Sequence, residues 1–327
     1  AVGGGTPLIL DEGQLEELFC LAELFGVHPS RVFTSVETSP EYTQKSVLRQ
    51  LRARGVERLS MGVQSFNETE LKKLKRRPGL GTVVCALENI VEAGFPQFNL
   101  DLIYGIEGQT VESFMRSLNT ALTYRPNELF IYPLYVRPGT RIDVRSTDDI
   151  GYAIYKSARE LLVGQGFVQT SMRRFVRRET TETEFSCGDE VMLSCGAGGR
   201  SYLGNLHYAT PYAVRQQAIA DEIDHYIRTT DFMTAANGFL LSTEEMQIRF
   251  IIKNLMYYRG VDLAEYEKRF GEKPDRNLFR EFTDRGWIEE TGRIVRLTEE
   301  GMAYSDYIGQ AFISPVVRKL MSEYVYP

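Results

Sequence analysis

Three polar side chains, Glu37, Gln64 and Asp101, stand at or near the ends of otherwise apolar runs at Arg31–Glu37, Arg58–Gln64 and Phe98–Tyr104. A carboxylate at the inner edge of a sheet is costly to desolvate unless it meets a cation or a hydrogen-bond donor. As a set, the three therefore predict a mouth that receives a polar ligand. The run Gly3-Gly-Gly-Thr-Pro adds backbone that approaches a ligand closely and presents N–H and C=O groups to its charged end.

Other candidates carry less chemistry. Arg76 and Arg77 end a charged helical stretch, where a solvated face beside a helix C-terminus is the plain expectation. Asn67 reads as an N-cap, with Glu68 and Glu70 as first-turn acids. His28, His207 and His225 lack the i, i+4 spacing of a helical zinc pair, and only His207 falls beside a possible site, the glycine-rich stretch Cys195–Gly204. Cys20, Cys85, Cys187 and Cys195 form neither a C-x-x-C pair nor a disulfide framework, which fits a reducing, cytoplasmic setting.

The elements that must position these residues repeat as strand then helix. The runs at Pro7–Leu10, Arg31–Glu37, Arg58–Gln64, Phe98–Tyr104 and Glu128–Tyr135 read as strands. Helices are expected after each, at 12–24 behind an Asp11 cap, 43–54, 68–75 with 82–93, 111–124 and 150–163. Five such units call for a parallel sheet with crossover helices. Polar residues spread over several strand ends favour an α/β barrel, open rather than closed, over a flat doubly wound sheet with a single crevice. Ala1–Leu10 reads as a strand entering a glycine turn, so the sequence is expected to begin inside an element.

From Phe167 the pattern changes to short strands and the glycine-rich stretch, and beyond Ser242 to helices followed by two strands around Thr291-Gly292, a winged-helix-like order. The expected domains are a partial barrel at 1–166, a connecting region at 167–241 and a C-terminal α+β winged-helix-like domain at 242–327. The 327 residues carry 44 acidic and 38 basic side chains, a formal charge of -6, and Glu289, Glu290, Glu299 and Glu300 dilute any basic face on the last domain. A nucleic-acid partner is not expected. No apolar run approaches the roughly 20 residues of a membrane span, so no membrane partner is expected.

Several strings in this order resemble the oxygen-independent coproporphyrinogen III oxidase family of radical S-adenosylmethionine enzymes. They are Gly3-Gly-Gly-Thr-Pro, Glu37, Leu59-Ser-Met-Gly-Val-Gln-Ser-Phe, Lys75-Arg76, Leu100-Asp-Leu-Ile-Tyr-Gly-Ile-Glu-Gly-Gln-Thr and Val136-Arg-Pro-Gly-Thr. Gly260-Val-Asp-Leu, Arg269-Phe-Gly, Arg285-Gly-Trp-Ile-Glu and Leu297-Thr-Glu-Glu-Gly resemble the family's C-terminal domain. The resemblance implies a partial (β/α)6 barrel holding S-adenosylmethionine against a [4Fe-4S] cluster. It implies that Gly4, Gly5 and Thr6 contact the methionine amino group, and that Glu37 and Arg76 hold the amino-acid end. Gln64 and Asp101 would bind around the ribose, with Ile103 near the adenine.

The family's cluster sits on a C-x-x-x-C-x-x-C loop that precedes the glycine motif by a few dozen residues. No cysteine of this sequence has that spacing, so the cluster ligands and the first barrel strand are expected N-terminal to Ala1. The resemblance further implies a small-molecule substrate, a tetrapyrrole or a carbon acceptor of a methyl group, and an electron donor such as a flavodoxin. Its relatives include heme chaperones, for which Tyr202 and Tyr208 would flank a porphyrin. Arg173, Arg174, Arg177 and Arg178 would pair with substrate carboxylates or form a solvated basic loop. Catalytic residues and oligomeric state are not legible.

Overall fold

The computed structural model describes residues 1–76, 79–135, 148–178, 191–211, 213, 215–235 and 237–324. Arg77, Val136-Arg-Pro-Gly-Thr and Cys187 lie outside the described residues. The chain packs as two units, the first built on residues up to 169 and on 173–178, the second on 170–172 and the described residues from 191 onward.

The first unit is organised by a six-stranded sheet. Its parallel strands are β1 (Ser35–Thr38), β2 (Arg58–Gln64), β3 (Gln97–Tyr104) and β4 (Glu128–Pro133), adjacent in that order. Val2 adds a parallel bridge to Val36 on the free side of β1. On the far side, β5 (Phe167–Gln169) and β6 (Arg174–Arg177) form an antiparallel pair, with β6 antiparallel to β4. The strand expected at Pro7–Leu10 is instead a 3-10 turn over Pro7–Ile9. The strand contact belongs to Val2, before the glycines, because proline at the first turn of a helix costs nothing in hydrogen bonding and Pro7 starts one here.

The helices are α1 (Glu12–Leu24), α2 (Lys45–Ala53), α3 (Glu68–Lys73), α4 (Leu80–Ala93), α5 (Val111–Thr123) and α6 (Asp148–Gly164). Local chemistry sets their ends. Asp11 and Thr110 close capping boxes on α1 and α5, Asn67 caps α3, and Gly94 stops α4 in a left-handed conformation at φ 63°.

The two faces of the parallel strands differ in kind. Val36, Leu59, Met61, Leu100, Leu102, Leu129 and Ile131 alternate onto one fully buried apolar face. Tyr104, on the same face, meets Phe114 of α5 edge-on at 6.2 Å and Tyr155 of α6 at 6.2 Å. The opposite face carries Ser35 and Glu37, then Arg58, Ser60 and Gly62, then Asn99 and Asp101, then Glu128, Phe130 and Tyr132. One helix-covered apolar face and one polar face is the arrangement of a helix-wrapped open barrel. A doubly wound sheet needs apolar residues on both.

The polar face is anchored where the strands begin. Glu128 is fully buried and accepts from Arg58 Nε at 3.1 Å, Arg58 Nη2 at 3.0 Å and Arg174 Nη2 at 2.8 Å, and Arg58 also donates to Ser35 at 2.9 Å. Burial works against the Glu128 charge, but the two guanidiniums outweigh it and hold its pKa below the usual carboxylate range. One carboxylate thus ties β1, β2, β4 and β6 together.

The second unit contains a four-stranded antiparallel sheet, β7 (Val191–Met192), β8 (Arg200–Leu203), β9 (Leu206–Ala209) and β10 (Gly238–Leu240), with α7 (Gln216–Arg228) between the last two. It continues through α8 (Thr243–Leu255), β11 (Val261–Asp262), α9 (Leu263–Phe270), α10 (Asn277–Asp284), the hairpin β12 (Ile288–Thr291) and β13 (Ile294–Leu297), and three short helices. Phe250, Ile251, Leu255, Tyr266, Phe279, Phe282 and Val295 form the core of this C-terminal part. Helices followed by a hairpin give the winged-helix-like order read from the sequence.

Removing the Glu128 side chain leaves two guanidiniums without their buried partner. Glu128→Ala is expected to lower unfolding free energy by about 3 kcal/mol or more, read as a shift in urea midpoint. A shift worth less than about 1 kcal/mol would contradict the anchoring role.

Candidate functional site

The polar face opens where the parallel strands end, and the sequence arranges that rim with some strain. Val2 pairs with β1, and the next residues turn away through Gly4 and Gly5 at φ 84° and 89°, a region side chains rarely adopt. Glu37 folds over this turn and accepts a hydrogen bond from the Gly4 N–H at 3.2 Å. A Cβ on Gly3 would stand 2.8 Å from the Glu37 carboxyl carbon, so a side chain there would push the Glu37 carboxylate aside.

The end of β2 is irregular in a way no sequence pattern announces. A bulge between Gly62 and Gln64 shifts the register against β3, and Gln64 is buried at φ 72°. Its amide lies back over Gly62, where a Cβ would come within 2.5 Å of Nε2. Gly62 pairs in register with Asp101, so the bulge carries the Gln64 amide toward the Asp101 carboxylate. Left-handed non-glycine backbone next to a glycine that makes room for it is strain kept at a binding position.

Asp101 is the most perturbed acid of the rim. Burial pushes its pKa up to about 6, Asn99 and Arg58 oppose the shift, and the charges of Glu37 and Glu128 reinforce it. Tyr132, one strand over, is raised by burial and by the Asp101 charge, so it stays protonated. Ile103 pairs in register with Tyr132, and its carbonyl accepts from Gln109 at 3.3 Å. Glu37, Gln64, Asp101, Ile103 and Tyr132 therefore stand on neighbouring strands, with Gly4 bonded to Glu37 from the turn beside β1. Thr6 follows the turn, half-buried.

Arg76 borders that group at Gly62. It is exposed and lines a cleft of about 230 Å³ with Ser39, Glu41, Gly62 and Lys75, without a hydrogen bond or ion pair to Glu37 among the described residues. The four arginines part company. Arg174 belongs to the Glu128 anchor, Arg177 lies over the Phe167 ring at 4.6 Å, Arg178 is exposed, and buried Arg173 donates to the Tyr135 hydroxyl at 2.8 Å. They lie on and beside β6 rather than on a solvated loop.

His207 sits in the four-stranded sheet, edge-on to Tyr202 at 4.5 Å, and burial with the nearby Arg249 charge pulls its pKa down to about 4. In the glycine-rich stretch, Gly196, Gly198 and Gly199 donate to Tyr226, Thr210 and the Gly196 carbonyl, which leaves those N–H groups spent inside the fold.

One functional feature escaped the sequence reading. Glu70 is not a solvated first-turn acid: it is buried and accepts from Ser65 at 2.5 Å, Gln109 at 3.0 Å and Ser113 at 2.6 Å. Gln109 in turn accepts from the Gly105 N–H at 2.8 Å. A single carboxylate thereby joins the loop after Gln64 to the loop after Ile103. Its only sequence signal was a polar residue on the face of α3 shared with Leu71 and Leu74, which periodicity alone cannot separate from a solvated edge.

Comparison with known proteins matches two stretches of the chain to known domains. The Radical SAM superfamily profile matches residues 1–121 and the HemN C-terminal domain profile matches residues 241–304. The chain carries a radical SAM domain and a HemN C-terminal domain. Proteins with the radical SAM domain bind S-adenosylmethionine and a [4Fe-4S] cluster. Among curated relatives, the heme chaperone HemW of Bacillus subtilis is 27% identical over 334 residues, covering 95% of this chain and 84% of its own. The oxygen-independent coproporphyrinogen III oxidase of Escherichia coli is 27% identical over 291 residues, covering 82% of this chain and 62% of its own. The solved coproporphyrinogen III oxidase (HemN) from Escherichia coli superposes with a TM-score of 0.78 at 23% identity, over 95% of this chain and 76% of its own. That likeness shows the fold, and with it the α/β barrel architecture.

Two predictions follow from the rim. With its pKa raised from 3.8 to about 6, Asp101 binds a proton more tightly folded than unfolded, so it destabilises the ligand-free protein above about pH 6 and not below about pH 4. Asp101→Asn should raise stability by on the order of 2 kcal/mol at pH 8 and by little at about pH 4, measured by urea unfolding. Glu70→Ala should cost about 3 kcal/mol, because three buried donors lose their acceptor, measured in the same assay.

Proposed function

We propose that the rim binds S-adenosylmethionine and that the chain is the catalytic part of a radical enzyme acting on an organic substrate, with a tetrapyrrole as the substrate class. The carrying observation is the half-buried Asp101 carboxylate on the same face as Glu37, whose charge it feels and whose own carboxylate accepts from the glycine turn. An amino-acid ammonium calls for a carboxylate and backbone carbonyls, and a ribose diol calls for a buried acceptor that is too costly to keep without a ligand. In this reading Glu37 with Gly4, Gly5 and Thr6 holds the ammonium, Arg76 the carboxylate, Gln64 and Asp101 the ribose hydroxyls, and Ile103 one face of the adenine.

Bound S-adenosylmethionine would supply the radical chemistry: one electron from a flavodoxin-type donor would break its C5′–S bond, releasing methionine and a 5′-deoxyadenosyl group able to take a hydrogen atom from the substrate. The protein's own part is to orient the nucleoside, keep Tyr132 protonated beside it and exclude water from the polar face. The residues present do not fit a [4Fe-4S] cluster. Cys20, Cys85 and Cys195 are free and exposed, and no C-x-x-x-C-x-x-C spacing occurs in the sequence. No step of the proposal is therefore routed through one.

A second reading, a heme chaperone on the same fold, is favoured by one observation. The alignment with the Bacillus subtilis heme chaperone spans 95% of this chain, against 82% for the Escherichia coli oxidase. The absence of a membrane-spanning helix among the described residues suits either reading.

Isothermal titration of the protein with S-adenosylmethionine is expected to show one-site binding, weakened about tenfold or more by Glu37→Ala. No binding, or binding indifferent to that change, would contradict the site. Anaerobic incubation of the whole native protein with S-adenosylmethionine and a one-electron reductant is expected to release 5′-deoxyadenosine. Stoichiometric heme uptake without that product would favour the chaperone.

A further inference from the structure

Beneath the rim, on the same inner face, Asn99 has a hydrogen-bonding pattern that its own interests do not explain. It is 1% exposed, and its amide nitrogen donates both hydrogens, to Ser60 Oγ at 2.7 Å and to Asp101 Oδ1 at 2.7 Å. Its amide oxygen is buried without a hydrogen-bond partner. An unsatisfied buried carbonyl costs about 1 to 3 kcal/mol. Turning the amide over would set that oxygen against the Asp101 carboxylate, which is worse. Asp101 thus dictates the orientation, and Asn99 bears the cost.

We propose that Asn99 is a positioning residue for nucleoside recognition: with Ser60 bracing it from β2, it fixes the Asp101 carboxylate as an acceptor for the ligand's vicinal hydroxyls. One Asp101 oxygen is taken by Asn99, and the other accepts no hydrogen bond among the described residues. The pairing register places Ser60 opposite Asn99 and Gly62 opposite Asp101, so brace, positioning residue and acceptor form one ladder under the Gln64 amide.

The charged and titratable groups around Asp101 come from every neighbouring strand: Glu37 from β1, Arg58 from β2, and Glu128 and Tyr132 from β4. Arg58 is already engaged by Glu128, and the two carboxylates disfavour a third charge. Among the influences that favour the ionised form, the Asn99 hydrogen bond is the foremost. Without it, burial and like charges would leave Asp101 a poorer acceptor near neutral pH. The inference rests on the nucleoside reading of the rim and adds to it how the acceptor is kept available.

The test titrates S-adenosylhomocysteine into the protein from about pH 5 to about pH 8, comparing the native sequence with Asn99→Leu, Asn99→Ser and Asp101→Asn. The native affinity is expected to rise through about pH 6, following Asp101. Asn99→Leu is expected to weaken binding about tenfold near pH 7 and to displace that rise upward by about one pH unit, as loss of one charge-assisted bond predicts. Asn99→Ser, too short to reach both partners, should show the same displacement and serves if the leucine variant does not fold by circular dichroism. Equal weakening at every pH, or an unmoved rise, would overturn the positioning role. A native protein that does not bind the probe, or an Asp101→Asn variant that binds it as well as the native protein, would instead sink the nucleoside reading itself.

Discussion

The half-buried carboxylate of Asp101 is the constraint on which the rest of the first unit depends. Placing an acid on the inner face of a sheet disfavours its charged form, as its pKa of about 6 records. Around it the structure supplies one amide donor, keeps a competing arginine occupied with Glu128, and leaves one oxygen without a hydrogen bond among the described residues. A fold selected for stability alone would replace such a group with an apolar one. The acid therefore reads as a group held ready for a ligand.

Two buried carboxylates do the structural work at opposite ends of the same strands. Glu128 sits where β2 and β4 start, opposite Val176 of the antiparallel β6, and is fully compensated by Arg58 and Arg174. Glu70 lies beyond the ends of β2 and β3 and is compensated by neutral donors from Ser65, Gln109 and Ser113. The first fixes the strands relative to one another, and the second fixes the loops that carry Gln64 and Ile103. Between these two fully bonded acids lies one bonded only through Asn99 among the described residues, which is how a rigid scaffold keeps a polar site from collapsing on itself.

Much of this was legible in the sequence, and the reasons for success and failure are physical. Strands such as Arg58–Gln64 and helices such as Val111–Thr123 declare themselves through local periodicity and caps, so their bounds held to within a residue or so. Pro7–Leu10 misled because a short apolar run has no period, and the proline that opens a 3-10 turn looks the same as one that opens a strand. The rim residues Glu37, Gln64 and Asp101 stood out because a polar residue ending an apolar run is visible locally. Glu70 and Asn99 did not, since their roles are defined by partners from 5 to 43 residues away for Glu70 and 39 away for the Asn99 brace. The antiparallel entry of β6 beside β4, which turns an apparent basic loop into the Glu128 anchor, was invisible for the same reason.

The most direct test of the central claim is a crystal structure of the protein grown with S-adenosylhomocysteine. The account predicts electron density for the ligand along the ends of β1 to β3, its amino group at Glu37 and the glycine turn, its ribose hydroxyls on Asp101 and its adenine against Ile103. Density elsewhere on the molecule, or a ligand whose ribose avoids Asp101, would contradict it.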